Sequence, residues 1–380
     1  MIRGGVYIHF PFCTSKCTYC DFYTLTNQEA NIDDFITYLC KEIELTAKEN
    51  KLNWKIDTLF IGGGTPSLIS TNQLNKIYET LNKSFNLSCL NEFTIEANPG
   101  EFSIDKMKQF KSIGINRISL GFQSLNDTIL QSLSRWHLAK DCIESYNNAR
   151  KAGFENINVD MIFGIPNQTL QQWEKDLNTI IDLDPEHISA YSLIVEEKTP
   201  LYSQVNSGEI VMPHEKTEIR MYSYTMDVLN QDNYLQYEIS SYSKENKKCN
   251  HNLHYWRREP YLAFGPSAHG FNNEKRYWNI RDLNEYIKKL SKNKLPIENF
   301  EILGKESIFN ELILNGLRTS DGLNLEHIQN NFNNQIFKSL SSKIKEWGNH
   351  LERNDTNIKL SKEGYFVADE ITLDFINSYC

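Results

Sequence analysis

Six apolar segments with the character of β-strands alternate along the first half of this chain with segments of helical periodicity. The predicted strands are residues 5–10, 56–61, 92–97, 115–122, 157–163 and 187–194. The predicted helices between them are residues 33–48, 71–82, 104–113, 142–152 and 170–181. Strands that alternate with helices are typical of parallel βαβ units, so the sequence predicts an α/β fold.

Within these strands, one side is apolar and the other is polar or small. The apolar side includes Val6, Ile8 and Phe10 of the first strand. The opposite side carries Tyr7, His9, Thr94, Glu96, Asn98, Arg117, Ser119, Gly121, Gln123, Asn158 and Asp160. Successive residues of a strand point to opposite faces, so the polar set shares one face. This favours a partial (β/α)6 barrel with a polar cavity at the carboxyl ends of its strands. Half-solvated antiparallel strands are the alternative, which the long helical connections disfavour.

Three cysteines, Cys13, Cys17 and Cys20, directly follow the first predicted strand, whereas the other five are scattered. Three thiolates so close in sequence can bind three irons of a [4Fe–4S] cluster and leave the fourth iron open. A zinc site completed by a distant ligand is the alternative, and the spacing alone does not exclude it.

Composition limits which partners and which cell compartment this chain is expected to have. It has 380 residues with a formal net charge of −9, which argues against broad nucleic-acid binding. No apolar stretch approaches the roughly 20 residues of a membrane span, and the first residues do not resemble a signal peptide. We therefore expect a cytoplasmic protein whose cysteines are reduced.

The second predicted strand ends in Gly62-Gly63-Gly64-Thr65-Pro66. Successive glycines let a backbone approach a ligand closely and expose its N–H and C=O groups. The segment is not a P-loop, because no Gly-Lys-Ser/Thr follows. A tight turn without ligand contact is the alternative.

In combination, these motifs resemble radical S-adenosylmethionine proteins, and more narrowly the branch of the oxygen-independent coproporphyrinogen III oxidase. Further motifs that match the branch are Glu96-Ala97-Asn98-Pro99, Gly121-Phe122-Gln123-Ser124, Arg135 with His137, and the Asp-Met-Ile-Phe-Gly-Ile-Pro segment 160–166. The resemblance implies that Cys13, Cys17 and Cys20 hold a [4Fe–4S] cluster. It also implies contacts to S-adenosylmethionine from Tyr7, Tyr19, Gly63, Gly64, Thr65, Glu96, Gln123, Arg135 and Asp160.

Within this branch, the chain is most similar to the HemW subgroup, which is associated with heme binding and delivery. The oxidase has a cysteine where this chain has Phe22, and it has a longer N-terminal segment. The sequence His251-Asn252-Leu253-His254-Tyr255-Trp256 matches the subgroup's His-Asn-x-x-Tyr-Trp motif. An imidazole can ligate heme iron and aromatic rings can stack on a macrocycle, so we expect His251, Tyr255 and Trp256 to contact heme. Cys249 is a rival ligand, and a purely structural role for the motif is the alternative.

The resemblance also implies a domain order and a set of partners. We expect a radical S-adenosylmethionine barrel over residues 1–240, a connecting or lid segment over 241–302, and a winged-helix-like domain over 303–380. In the last domain we predict helices at 307–316, 325–332 and 337–351 and strands at 358–360 and 365–368. The expected partners are heme as cargo, heme-accepting proteins that include membrane-associated ones, and an electron donor. Nucleic acid is not expected, and homodimerisation is left open.

The rival function is that of the oxidase itself, which decarboxylates propionate side chains in porphyrin biosynthesis by radical chemistry. The departures at Phe22 and at the N-terminus argue against this activity here.

Overall fold

The computed structural model describes residues 2–49, 53–354 and 356–379, so Cys380 lies outside the described part. The strands are β1 (Ile2–Phe10), β2 (Phe12–Cys13), β3 (Leu25–Thr26), β4 (Trp54–Gly63), β5 (Glu92–Ala97), β6 (Arg117–Gln123), β7 (Ile157–Phe163), β8 (His187–Ser192), β9 (Leu235–Glu238), β10 (Ser241–Ser243), β11 (Tyr261–Phe264), β12 (His269–Phe271), β13 (Lys275–Asn279), β14 (Ile297–Ile302), β15 (Leu323–Asn324), β16 (Leu351–Asn354) and β17 (Asn357–Leu360).

The helices are α1 (Ile32–Glu49), α2 (Thr71–Ser84), α3 (Ile104–Ile113), α4 (Asp127–Ser132), α5 (Ala139–Lys151), α6 (Leu170–Leu183), α7 (Pro200–Asn206), α8 (Glu215–Gln231), α9 (Asn250–Trp256), α10 (Leu283–Ser291), α11 (Lys305–Arg318), α12 (Leu325–Asn331), α13 (Asn334–Trp347), α14 (Lys362–Tyr365) and α15 (Ala368–Ile376). Within the described residues, none of these helices is both long and apolar enough to cross a membrane.

Six parallel strands form the centre of the main sheet, in the order β1-β4-β5-β6-β7-β8. Helices connect them, as the alternating pattern predicts, and the α/β partial barrel is confirmed. The strand predicted to run to residue 194 instead ends at Ser192. Leu193 and Ile194 belong to the loop that follows.

The apolar side of the strands packs beneath the helices. Val6, Ile8 and Phe10 are at most 1% exposed and share one core with Phe35 and Leu39 of α1. Side-chain caps help to fix where these helices begin. For example, the Ser70 side chain accepts a hydrogen bond from the Gln73 N–H and caps α2. The polar side of the strands is thereby directed inward.

Residues 241–302 extend the main sheet at both of its edges. Strand β10 pairs with β8, and β11 runs parallel to β1 and leads into the antiparallel strands β12, β13 and β14. Leu262, Phe264 and Tyr286 belong to the same hydrophobic core as the barrel helices. The core therefore continues across the boundary predicted at residue 240.

The C-terminal part has its own hydrophobic core, in which Phe309, Ile313 and Phe375 are fully buried. Its helices surround a small antiparallel sheet of order β15-β17-β16.

Two predictions for this C-terminal part are wrong. Residues 365–368 are not a strand, because Ser361 caps α14 and the chain continues into α15. The helix predicted to reach residue 351 ends at Trp347, since Gly348 follows with a φ of 47°.

Candidate functional site

A cavity of about 430 Å³ lies at the carboxyl ends of the parallel strands, where the barrel rule places functional sites. We call it the main cavity. Cys13, Cys17 and Cys20 are part of its wall. The other residues predicted for this site that line it are Tyr19, Gly63, Gly64, Thr65, Glu96, Gln123, Arg135 and Asp160. Folding thus brings together side chains from β4 to β7 and from the loops that follow them.

Two of the three thiol sulfurs accept hydrogen bonds from residues of the cavity wall. The Thr65 hydroxyl donates to Cys13 Sγ and the Arg135 Nη1 group donates to Cys17 Sγ, both at 3.4 Å. Burial raises the pKa of Cys13 to about 11. A hydroxyl and a guanidinium aimed at sulfur favour the deprotonated, metal-bound form of such thiols.

The glycine loop is held by the segment that carries the first cysteine. Gly64 N–H donates to Phe10 O and Thr65 N–H donates to Phe12 O, both at 2.7 Å. Gly63 N–H donates to Glu96 Oε2 at 3.0 Å. Each of these three amides therefore already has a partner within the protein, so their N–H groups are not available to a ligand in this arrangement.

Two of the acidic residues that line the cavity, Glu96 and Asp160, differ in their surroundings. Burial, together with the negative charge of Asp160, raises the pKa of Glu96 to about 7. The Ser119 hydroxyl and the Asn158 amide both donate to the Asp160 carboxylate at 2.8 Å. A cation entering this cavity would relieve the repulsion between the two carboxylates.

Arg135 and Gln123 also line the main cavity. Arg135 Nη2 donates to Asn98 Oδ1 at 2.6 Å and to Gly121 O at 2.9 Å. Its Nε is buried and has no hydrogen-bond partner among the described residues. Gln123 has a φ of 68°, unusual for a residue with a side chain, and a register shift in β6 accompanies it. Backbone strain of this kind is often retained at functional sites.

The predicted ligand contacts leave out several residues that line the main cavity and include one, Tyr7, that does not line it. Ser119 and Tyr191 line the main cavity, and the Tyr191 hydroxyl donates to Gln123 Oε1 at 3.1 Å. The alternation of β8 could have indicated Tyr191, whereas Ile194 lies in a loop without a pattern. Tyr7 does not line the main cavity; its hydroxyl donates to His9 Nδ1 at 3.1 Å, and it faces a neighbouring cavity.

Two family models match this chain: the radical SAM superfamily over residues 7–180, and the HemN C-terminal domain over residues 303–367. The heme chaperone HemW of Bacillus subtilis is 36% identical, and the alignment covers 97% of each chain. HemW of Lactococcus lactis is 33% identical over 98% of this chain and 97% of its own. The chain belongs to the HemW family.

Among solved structures, coproporphyrinogen III oxidase (HemN) from Escherichia coli superposes on this HemW family member with a TM-score of 0.85. The match covers 100% of this chain and 91% of the oxidase, at 19% sequence identity. At that identity the match shows a shared fold.

Membership of a radical SAM family implies a [4Fe–4S] cluster and S-adenosylmethionine, and the residues of the main cavity fit both. Three thiols line one wall, and the buried Arg135 Nε is an unpaired donor for a carboxylate. Among the described residues, no three His, Cys, Asp or Glu side chains are arranged to hold a single metal ion. The match to the radical SAM superfamily favours the cluster over the zinc alternative.

The HemW motif lies on α9, which the first halves of β4 and β5 anchor. The Glu92 carboxylate accepts the N–H groups of Asn250 and His251 at 2.8 and 3.0 Å, and the Cys249 thiol donates to it at 3.5 Å. Both ring nitrogens of His251 are hydrogen-bonded at 2.8 Å, Nδ1 with Thr58 Oγ1 and Nε2 with the Tyr255 hydroxyl. His251 and Cys249 are therefore enclosed: they are 1% and 0% exposed.

The two aromatic residues of the motif reach two further cavities, of about 460 and 330 Å³. Tyr255 lies in the walls of both, and Trp256 lines the smaller one. The structure thus places the two predicted aromatic residues at cavities and His251 behind Tyr255.

Proposed function

We propose that this chain is a heme chaperone that binds a [4Fe–4S] cluster and S-adenosylmethionine in the main cavity and binds heme for delivery to acceptor proteins. The observation that carries this proposal is the near full-length similarity to relatives that are themselves named heme chaperones. The position of Tyr255 and Trp256 at cavities beside the main one supports it.

In the main cavity, Cys13, Cys17 and Cys20 are the proposed cluster ligands. Arg135 suits the carboxylate of S-adenosylmethionine. Its buried Nε has no hydrogen-bond partner among the described residues, and we assign it to this carboxylate. Glu96 and Asp160 suit its ammonium and hydroxyl groups, and Tyr19, Gly63, Gly64, Thr65 and Gln123 complete the proposed site. When bound, the cluster supplies an electron to the sulfonium. The protein's part is to orient the ligand and to hold its charges.

For the heme motif, direct ligation of iron by His251 requires its imidazole to give up at least one of its two hydrogen bonds. In the described arrangement His251 positions the hydroxyl end of Tyr255. The contacts proposed for Tyr255 and Trp256 need no such rearrangement.

The proposed setting is the cytoplasm, with an electron donor for the cluster and heme-accepting proteins as partners. Oxidase activity is not part of the proposal. Phe22, which stands where the oxidase pattern has a further cysteine, is 60% exposed at the rim of the main cavity. A large apolar side chain at that rim offers no ligand to iron.

Anaerobic reconstitution with iron and sulfide tests the cluster site. We expect the wild type to bind close to four irons per chain and Cys17→Ala to lose the cluster. Cys89→Ala, a change at a partly exposed cysteine far along the chain, is the matched control and should retain it.

Titration with heme tests the chaperone function. We expect a shifted Soret band on addition of heme and no protoporphyrinogen on anaerobic incubation with coproporphyrinogen III. Absence of a Soret shift would overturn the chaperone proposal, and formation of protoporphyrinogen would favour the oxidase.

A further inference from the structure

The two further cavities, of about 460 and 330 Å³, adjoin each other, because Tyr255, Tyr261 and His269 belong to the walls of both. We call the combined space the tyrosine groove. Its other lining residues used below are Tyr7, His9, Phe22, Arg281, Trp256, Phe271, Arg276 and Glu311. Each cavity is within the range of roughly 300–1,000 Å³ that is usual for small-molecule and cofactor sites.

The groove presents mainly aromatic surfaces. The rings of Tyr255 and Tyr261 meet edge to face, with their centroids 4.6 Å apart. The Tyr261 and Phe271 rings are 6.4 Å apart on paired strands. Aromatic walls of this kind suit a large, flat, unsaturated ring system.

Two histidines line the groove, and they differ in availability. His9 is 4% exposed, with Nε2 donating to Tyr23 O at 2.8 Å and Nδ1 accepting from Tyr7. His269 is exposed and stacks on Trp278 with ring centroids 5.9 Å apart. Within the described part of the chain, neither ring nitrogen of His269 has a hydrogen-bond partner. His269 is therefore the histidine of this groove that can offer a nitrogen to a ligand without losing an existing bond.

Partial burial and the positive charge of Arg276 lower the pKa of His269. A lowered pKa favours the neutral ring, which is the form that binds a metal ion.

Cationic groups lie at the two ends of the groove. Arg281 is exposed; Nη2 donates to Asp21 O at 3.1 Å, and no carboxylate within the described residues pairs with it. Arg276, at the other end, is already bound to Glu311 at 2.8 Å. Arg281 is thus the cation that remains able to bind a carboxylate of a ligand.

We propose that the tyrosine groove binds the heme macrocycle, with His269 as an axial ligand of the iron and Arg281 paired with a propionate. This assignment rests on the proposed heme-chaperone function and names a heme ligand outside the His-Asn-x-x-Tyr-Trp motif. It also explains how the motif contributes: Tyr255 and Trp256 form aromatic walls, and His251 holds Tyr255 in place.

The location ties the groove to the cluster. Asp21 and Phe22, which directly follow Cys20, line both the groove and the main cavity. Heme bound there would adjoin the proposed cluster loop through this shared wall.

The test is a heme titration of the full chain, read by Soret absorbance and by electron paramagnetic resonance of the ferric form. We expect His269→Ala to weaken heme binding by roughly tenfold or more and to change the axial-ligand spectrum. Added imidazole should restore the wild-type spectrum in His269→Ala. His327→Ala, a change at an exposed histidine on α12 outside the groove, should bind heme as the wild type does.

A second variant isolates the propionate contact. Arg281→Ala should weaken heme binding by up to about fivefold without moving the Soret band. The dimethyl ester of heme should bind equally to wild type and Arg281→Ala.

The outcomes separate this proposal from the function on which it rests. If the wild type binds heme and His269→Ala leaves affinity and spectrum unchanged, the groove assignment is overturned and the chaperone function stands. A spectral change in His251→Ala alone would assign the iron to His251 instead. If the wild type binds no heme, both proposals fail. Circular dichroism of each variant checks that it is folded.

Discussion

At the scale of single residues, His254 stabilises the fold, although it occupies one of the two x positions of the His-Asn-x-x-Tyr-Trp motif. It lies between two carboxylates: Nε2 is 2.9 Å from Asp57 Oδ1, and Nδ1 is 2.7 Å from Glu259 Oε2. Asp57 also binds Arg3 at 2.7 Å. A histidine at a variable motif position thus ties α9 to β4.

This arrangement makes stability depend on pH. Burial lowers the pKa of His254, but the hydrogen bonds to Asp57 and Glu259 outweigh it and raise the pKa from 6.5 to about 9. Because the folded-state pKa is the higher one, the contribution is complete below about pH 6.5 and is lost as the pH rises through about 9. It amounts to about 3 kcal/mol.

We expect denaturant unfolding to show a loss of wild-type stability across that interval. His254→Gln should be less stable at pH 6 and should lose less stability between pH 6 and about pH 10. The surface variant His327→Gln should keep the wild-type slope. Parallel slopes for wild type and His254→Gln would show that His254 is not the titrating group.

Gly63 shows a constraint on the backbone beside the main cavity. Its φ is 107°, and a Cβ there would approach the His9 ring to 2.5 Å. Gly208 also has a positive φ, 75°, but a Cβ at that position would meet nothing within 4 Å. Comparing substitutions at Gly63 and Gly208 therefore separates the cost of backbone strain from the cost of steric overlap.

We expect Gly208→Ala to cost about 1 kcal/mol in the free energy of unfolding, because strain acts alone. Gly63→Ala should cost about 2 kcal/mol more, because the methyl group also displaces His9. Chemical denaturation of the cluster-free protein measures both. Equal costs would mean that the His9 ring yields without penalty.

At the scale of elements, α9 is too short to be stable by itself and depends on buried partners. Glu92 of β5 accepts its first two N–H groups, and Thr58 of β4 bonds His251. The orientation of this helix places Tyr255 and Trp256 at the tyrosine groove.

Replacing Glu92 with Gln should cost about 1–3 kcal/mol, because the amide nitrogen cannot accept the second helix N–H. The same chemical change in Asp282→Asn, at the exposed cap of α10, should be nearly neutral. Thermal unfolding measures both variants. A neutral Glu92→Gln would mean that α9 is held mainly by its other contacts.

At the scale of the whole molecule, polar contacts help to join the hydrophobic core of the C-terminal part to that of the barrel. Glu311 of the C-terminal helix α11 binds Arg258 at 2.7 Å and Arg276 of β13 at 2.8 Å. Glu238 and Arg318 form another link at 3.3 Å. The side chain of Glu311 is only 16% exposed, and its loss leaves Arg258 without this carboxylate partner and Arg276 with Glu301 at 3.5 Å.

We expect Glu311→Gln to lower the free energy of unfolding by about 1–3 kcal/mol. Glu352→Gln should change it by less than about 1 kcal/mol, because Glu352 and its partner Lys359 are 55% and 38% exposed. Denaturant titrations of Glu311→Gln and Glu352→Gln at low and high salt measure these changes in the free energy of unfolding. Similar small effects would mean that apolar contacts alone join the cores.

The sequence by itself determined the parallel strand–helix order, the inward polar face and the cysteine trio at the end of β1. These features are local, since strand periodicity and motif spacing depend on residues close together in the chain. Alternation predicts that Glu96, Gln123 and Asp160 share the inward face, and the strand order brings them to one cavity. The short C-terminal segment 365–368 was misread because four residues carry too little periodicity.

Only the tertiary structure decided which groups remain available for a ligand. Thr58 and His251 are 193 residues apart, yet their contact, together with that of Tyr255, leaves no free nitrogen on His251. The amides of the glycine loop are likewise taken by Phe10, Phe12 and Glu96. Hydrogen-bond partners are set by contacts between distant segments, and no local pattern records them. For that reason His269, whose ring nitrogens have no partner in the described part of the chain, became evident only in the folded chain.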